Sequence, residues 1–202
     1  MFAERGCGME TSLHQARLIL ASASPRRREL TAYFGVPFTV VASDIPEIAG
    51  GGGLEQVQTL ARMKGRDVFL RYPAYPVLSA DTLVCIDDQI LGKPASHEQA
   101  AQMLSLLSGR WHQVHTGVCL HTPDGLVRER AETTNVLFRT IGRAELLRYA
   151  ASEEPMDKAG AYAMQGTGSI LIEKIDGSPS NVIGLPLDIV TALLADAGLY
   201  TL

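Results

Sequence analysis

The stretch Leu18-Ile-Leu-Ala-Ser-Ala-Ser-Pro-Arg-Arg-Arg-Glu-Leu30 sets a short apolar run directly against a basic helix start. Leu18 to Ala21 reads as a buried strand that breaks at small residues. Ser24-Pro25 then opens a helix, with Ser24 as N-cap and proline at the first helical position. Three arginines, Arg26 to Arg28, fall inside the first turn. Free N–H groups already make that end of a helix positive, so its dipole disfavours cations there. A solvated basic face is the ordinary reading of such a run. Here the dipole conflict and the strand–turn–helix context point instead to an anion held at the helix start, with phosphate the first candidate.

The remaining chain alternates the same two periodicities. Val36 to Val41 reads as strand, Ser43 to Gly53 as a loop ending in four glycines, and Leu54 to Leu70 as helix. Val77 to Ile86 is strand on both sides of one carboxylate, turned by Asp87-Asp88-Gln89 and returning to Leu91-Gly92-Lys93-Pro94. A capping box from Ser96 to Gln99 starts a helix that runs to Leu107. Trp111 to His121 and Leu126 to Phe138 read as strands joined at Pro123-Asp124-Gly125, and Thr140 to Ser152 as helix. Ser169 to Ile175 and Ser180 to Ile183 read as short strands, and Leu187 to Ala197 as the closing helix. Mixed alternation without an internal repeat predicts an α/β fold.

Composition narrows the partner. The chain has 202 residues, 46% of them hydrophobic and 20% charged, and a net charge of -4, which is ordinary for a globular enzyme and too acidic for a nucleic-acid binder. Basic groups gathered locally in an acidic chain point to a small anionic ligand. Three cysteines, Cys7, Cys85 and Cys119, form no CxxC pair, which fits a reducing cytoplasm. Met1 to Ala16 lacks the apolar core of a secretory signal and is expected to be a disordered extension ahead of a domain at 17–202. No later stretch has the length of a membrane span.

Among chemistry-bearing residues, Asp81 stands out because aspartate is depleted in strand interiors and must there be paired, hydrogen-bonded or metal-bound. Lys93 is framed by Gly92 and Pro94, a fixed backbone that suits a lysine aimed at a site. Glu47 and Lys64, taken singly, read as surface charges. His112 and His115 are three apart on a strand, face opposite sides, and cannot share one metal ion. Gly166-Thr167-Gly168 precedes a strand and lacks the third glycine of a dinucleotide fingerprint, and neither a Gly-x-Ser-x-Gly elbow nor a Walker lysine motif is present.

Taken in order, the segments resemble the Maf family of nucleoside triphosphate pyrophosphatases from about Arg17 to Leu194. The pieces are Ala21 to Leu30, Ser79-Ala80-Asp81-Thr82, Leu91-Gly92-Lys93-Pro94 and Leu107-Ser108-Gly109, then Glu154 to Tyr162, Met164-Gln165-Gly166 and Ile183-Gly184-Leu185-Pro186. The resemblance implies an elongated α/β fold, a mixed sheet with flanking helices in two lobes around a central cleft, related to the inosine-triphosphate pyrophosphatases. It implies hydrolysis between the α- and β-phosphates with a divalent cation, Mg²⁺ or Mn²⁺. It carries functional roles onto Ser24, Arg26, Arg27, Glu47, Lys64, Asp81, Thr82, Lys93 and Gln165. Glu47 and Asp81 would be the hard oxygen ligands of the metal. Arg26, Arg27, Lys64 and Lys93 would offset the roughly four negative charges of a triphosphate.

The family splits by substrate, and Arg26, Thr82 and Gln165 all match the branch acting on dTTP and UTP. Gln165 offers both a donor and an acceptor to the O4 and N3–H edge of uracil or thymine. The chain departs from the family pattern at Pro46, where a second acid is usual beside Glu47, at Gly65 for alanine, at Ala163 for glycine, and in the run Gly50 to Gly53. The expected partner is therefore a nucleoside triphosphate, with no nucleic acid and no membrane, and a homodimer as the candidate assembly. The alternative is a nucleotide-binding regulator of cell division or septum formation without turnover.

Overall fold

The computed structural model describes residues 17–46 and 52–201, so the Met1–Ala16 extension and Glu47 lie outside the described residues. The strands are β1 (Leu18–Ala21), β2 (Phe38–Val40), β3 (Val77–Ile86), β4 (Gln89–Leu91), β5 (Trp111–His121), β6 (Val127–Phe138) and β7 (Ile172–Asp176). The helices are α1 (Pro25–Ala32), α2 (Gly53–Arg71), α3 (His97–Leu107), α4 (Arg143–Ala150), α5 (Pro179–Ile183) and α6 (Leu187–Asp196). Short 3₁₀ turns occupy Glu154–Asp157, Ala159–Ala161 and Thr167–Leu171.

Among the described residues one mixed seven-stranded sheet runs in the order β2-β1-β3-β5-β6-β7, with β4 also paired to β3. β1 is parallel to both β2 and β3, as a strand–helix–strand start requires, and the long β3, β5 and β6 are antiparallel neighbours. Alternation along these strands decides what each face buries. Even-numbered residues of β3 and β5 meet two separate apolar clusters. Leu78, Ala80, Val118 and Leu120 pack with Leu30 of α1 and Val190 of α6, while Val84, Ile86 and Val114 pack with Leu104 of α3 and Phe138. Between the clusters the same face carries Thr82 and Thr116, whose hydroxyls lie 2.9 Å apart. This polar seam marks where the two clusters part.

The opposite face is covered by α2. Its backbone passes so close to β5 that a Cβ on Gly117 would lie 2.4 Å from the Val57 carbonyl oxygen. Any side chain at Gly117 would lift the helix. Further along, a Cβ on Gly65 would lie 2.5 Å from Ser79 Oγ and 2.8 Å from His121 Nδ1. The departure from alanine at Gly65 thus accompanies a tight fit against Ser79 and His121.

Several predicted elements change. Ser180 to Ile183 is the end of α5 and not a strand. Ser178 caps it by accepting from the Asn181 N–H, Pro179 takes its first position, and the side-chain pattern of four residues could not show this. Ser169 to Ile175 begins as a 3₁₀ turn and becomes strand only at Ile172. Gln89 belongs to β4 and not to the turn before it, and Gly53 begins α2 instead of ending the loop. The Ser96 cap forms as expected on the Gln99 N–H at 3.1 Å, but the returning Gln99 carbonyl takes the Ala95 N–H at 2.6 Å.

Candidate active site

β1 and β4 share one edge of β3 and leave a gap between them. β1 pairs as far as Ser79, β4 pairs from Val84 onward, and β5 fills the other edge throughout. Residues 80–83 therefore have no strand on the open edge among the described residues. Because β1 is parallel to β3 and β4 antiparallel, both chains leave their strands toward this gap. Ser22 to Arg27 enters from one side and Gly92-Lys93 from the other. The result is a cleft of about 510 Å³ whose floor is β3.

Strand alternation turns Asp81 toward α2 and Thr82 toward α1 and α5. Asp81 is only 6% exposed, and its Oδ1 accepts a hydrogen bond from Lys64 Nζ at 2.6 Å. Lys64 belongs to a stripe of α2 at spacing four, Gln56, Leu60 and Lys64, that faces the cleft. Burying a carboxylate in a strand is costly unless it is paired, and the ammonium supplies that partner.

On the other side, α1 begins at the cleft with its Ser24 cap and Pro25. Arg27 braces this start. Its Nε donates to the Gly184 carbonyl at 2.8 Å and its Nη2 to Thr82 Oγ1 at 2.9 Å. Thr82 in turn meets Thr116, whose hydroxyl donates to the Asn181 carbonyl, while Asn181 Nδ2 donates to the Val114 carbonyl and to Thr134 Oγ1. A polar chain thus runs from α1 through the seam of the sheet to α5.

The far wall is built from the 3₁₀ turns. Glu154 organises it. Oε1 accepts from Tyr149 Oη at 2.9 Å and from the Gly168 N–H at 2.8 Å, and Oε2 accepts from the Thr167 N–H at 3.0 Å. Burial pushes the Glu154 carboxyl up, but the two backbone N–H groups, Tyr149 and the Lys158 charge outweigh it and hold the group below its usual range. Burial and the neighbouring Glu154 raise the Tyr149 phenol, so it stays a donor. This clasp fixes the chain just after Gln165, which is exposed at the cleft.

Ser24, Arg26, Arg27, Lys64, Asp81, Thr82, Lys93 and Gln165 all line this one cleft. Glu47, the ninth expected residue, lies outside the described residues. Sequence reading passed over Asp157 and Lys158 as site residues, although Glu154-Pro-Met-Asp-Lys158 is part of the ordered set of segments. It also passed over Gln56, whose signal was its spacing of eight from Lys64 on one helix face. His112 and His115 point to opposite faces. His112 bonds Tyr162 Oη at 2.8 Å and His115 bonds Thr133 Oγ1 at 2.8 Å. Cys85 and Cys119 are buried, and burial, with the Glu129 charge, pushes the Cys119 thiol up to about 12.

Five cationic side chains line the cleft against two carboxylates among the described residues, which makes it an anion site within an acidic chain. No group of three or more His, Cys, Asp or Glu that could hold a metal occurs among the described residues. The donor set does fit a hard cation shared with a ligand, because Mg²⁺ takes one or two carboxylates and fills its remaining positions with phosphate oxygens and water. Asp81 is such a carboxylate at the floor.

The family model described as Maf-like protein matches residues 17–197. A dTTP/UTP pyrophosphatase of Myxococcus xanthus (strain DK1622) is 50% identical over 190 residues, covering 92% of this chain and 94% of the relative. A dTTP/UTP pyrophosphatase of Methylobacillus flagellatus is 45% identical over 190 residues, covering 92% and 95%. Among solved structures, a HAM1 protein from Coxiella burnetii matches with a TM-score of 0.52 at 16% identity, covering 90% of this chain and 99% of that one, a likeness of fold alone. This chain belongs to the family of Maf-like proteins.

Proposed function

We propose that the protein hydrolyses dTTP and UTP to the nucleoside monophosphate and pyrophosphate, removing surplus or modified pyrimidine nucleotides from the cytoplasmic pool. The observation that carries the reading is the cleft itself, lined by five cations, one of which, Lys64, pairs with the strand carboxylate Asp81 at its floor. The relatives named as dTTP/UTP pyrophosphatases support the substrate class. Among the described residues no helix is long and apolar enough to cross a membrane.

In this reading Arg26, Lys64, Lys93 and the start of α1 receive the triphosphate, and Arg27 keeps α1 and Thr82 in register. A bound Mg²⁺ or Mn²⁺, with Asp81 and Glu47 as its candidate ligands, would neutralise phosphate charge and acidify a water. Asp81, held in orientation by Lys64, takes the proton of the attacking water as its oxygen bonds to phosphorus. The α–β bridging P–O bond breaks and pyrophosphate leaves. Fixed charge around the reacting phosphates, not a covalent intermediate, lowers the barrier.

The test is pyrophosphate release from UTP and dTTP in magnesium buffer by the wild-type protein and by Asp81→Asn. Wild type should release pyrophosphate, and the folded Asn variant should lose roughly 100-fold or more in kcat, the scale of a lost general base. Nucleotide binding without release in the wild type would overturn the reading in favour of a regulator.

A further inference from the structure

Asp157 closes the 3₁₀ turn Glu154–Asp157 on the wall opposite α1. Its Oδ2 lies 3.5 Å from Arg26 Nη1, and its Oδ1 accepts a hydrogen bond from Lys158 Nζ. Lys158 Nζ also donates to the Glu154 carbonyl at 2.8 Å, so that ammonium is anchored on its own turn while Arg26 approaches from across the cleft. Two cations from two walls thus converge on one carboxylate. That is the arrangement by which proteins take up a phosphate oxygen.

As a tie between the walls this contact is weak. The Asp157 side chain is 62% exposed and that of Arg26 25%, and exposed pairs of this kind add almost nothing to stability. A carboxylate facing a cleft that must accept about four negative charges also opposes the ligand unless it yields. Its tie across the cleft is the weaker of its two contacts. Lys158 is the neighbouring residue, and the Arg26 contact is long for a charge-assisted bond.

We propose, resting on the pyrophosphatase reading above, that Asp157 is a resident stand-in for a substrate phosphate. In the empty cleft it keeps Arg26 and Lys158 aimed inward. It surrenders them when a nucleoside triphosphate enters and competes for them again against the pyrophosphate product. A multiply charged phosphate outcompetes a single carboxylate, whereas a product held by fewer contacts is displaced more readily. Asp157 is therefore a positioning residue that sets how tightly phosphate ligands are held and how easily pyrophosphate departs.

The test replaces charge while keeping shape. Asp157→Asn should bind pyrophosphate in magnesium buffer roughly fivefold more tightly by calorimetry, the fold-change that releasing one exposed ion pair provides. KM for UTP should fall and pyrophosphate inhibition should strengthen, with kcat unchanged or lower. Asp157→Glu, which retains the competing charge, should stay near wild type, and Asp157→Ser should behave like the Asn variant. Unchanged pyrophosphate affinity in the Asn and Ser variants would reduce Asp157 to a surface ion pair. Weaker affinity would make it a contact to the ligand or its cation. Either result overturns the proposal. A wild-type protein that releases no pyrophosphate from any nucleotide would defeat the pyrophosphatase reading separately, since the calorimetric comparison needs no turnover.

Discussion

Gln165 and a glutamate at the same place differ by one group, and in the proposed reading that group would decide which base edge is accepted. The Gln165 amide can take the N3–H of uracil with its oxygen and give an N–H to O4. A carboxylate can only accept, so it would repel O4 and leave that carbonyl unpaired, at a cost of about 1–3 kcal/mol. The guanine edge, with N1–H and N2–H₂, donates to a carboxylate instead. Gln165→Glu should therefore lower kcat/KM for UTP and dTTP by roughly ten- to a hundredfold relative to 7-methyl-GTP. Parallel kinetics on the three nucleotides check this, and an unmoved ratio would remove Gln165 from base reading. Its surroundings are fixed, with the Glu154 carboxylate clasping Thr167 and Gly168 immediately beyond it. That clasp was invisible in the sequence, where Glu154 is one acid in an irregular segment. Asp81 was visible because a carboxylate within an apolar strand breaks a physical rule.

Elements that obey local rules were the legible ones. The Leu18–Ala21 strand, the Ser24 cap and the Pro25 start follow from residue type alone, and so do the ten- to twelve-residue strands β3, β5 and β6. Short elements were not legible. Ser180–Ile183 looked like a strand because four residues cannot display a helical period, and its helix depends on Ser178 and Pro179 ahead of it. The gap in the sheet that creates the cleft was equally hidden, because it arises from where β1 and β4 stop pairing with β3. Helix packing adds a quantitative case at Gly65. Alanine there would gain about 1 kcal/mol of helix propensity. Its Cβ, however, would lie 2.5 Å from Ser79 Oγ, a fully buried hydroxyl tied to the Ala61 carbonyl at 2.7 Å. Overpacking of this kind costs about 1–3 kcal/mol, so it outweighs the propensity gain. Gly65→Ala should lower Tm by a few degrees, and His121→Ala in the same chain should recover part of the loss. A higher Tm in the single variant would show that α2 has slack over β3.

The whole molecule should respond to acid through its buried histidines. His112 lies between Phe138 and Tyr162 with edge-on ring contacts, and burial holds its pKa down to about 4 against a slight opposing pull from the Arg110 backbone. His115 and His121 are lowered by burial too, His121 also by the Arg66 charge. In the unfolded chain each regains its ordinary value of 6.5. Between pH 6.5 and about 4 the unfolded chain therefore binds a proton at His112 that the native state refuses. Stability must then fall as pH falls through that window and change no further on this account below it. For His112 the loss reaches about 3 kcal/mol, a large share of the roughly 5–15 kcal/mol that holds a domain folded. Glu132 acts in the opposite direction, since burial and the adjacent Asp188 raise its carboxyl and the native state keeps its proton longer. The carboxyls of Asp67, Glu154 and Asp157 are held down in the fold and act in the same direction as the histidines, so the net slope follows them. Urea melts between pH 7 and 4.5 should show stability dropping with acid, and His112→Gln should flatten that drop even if it lowers stability at pH 7. An equal slope in the variant would mean that His112 accepts its proton in the native state. His112 also supports Tyr162, which lines the wall that presents Gln165, and because His112 stays neutral in the native state through this window, the nucleotide affinity of the folded protein should hold steady where stability falls.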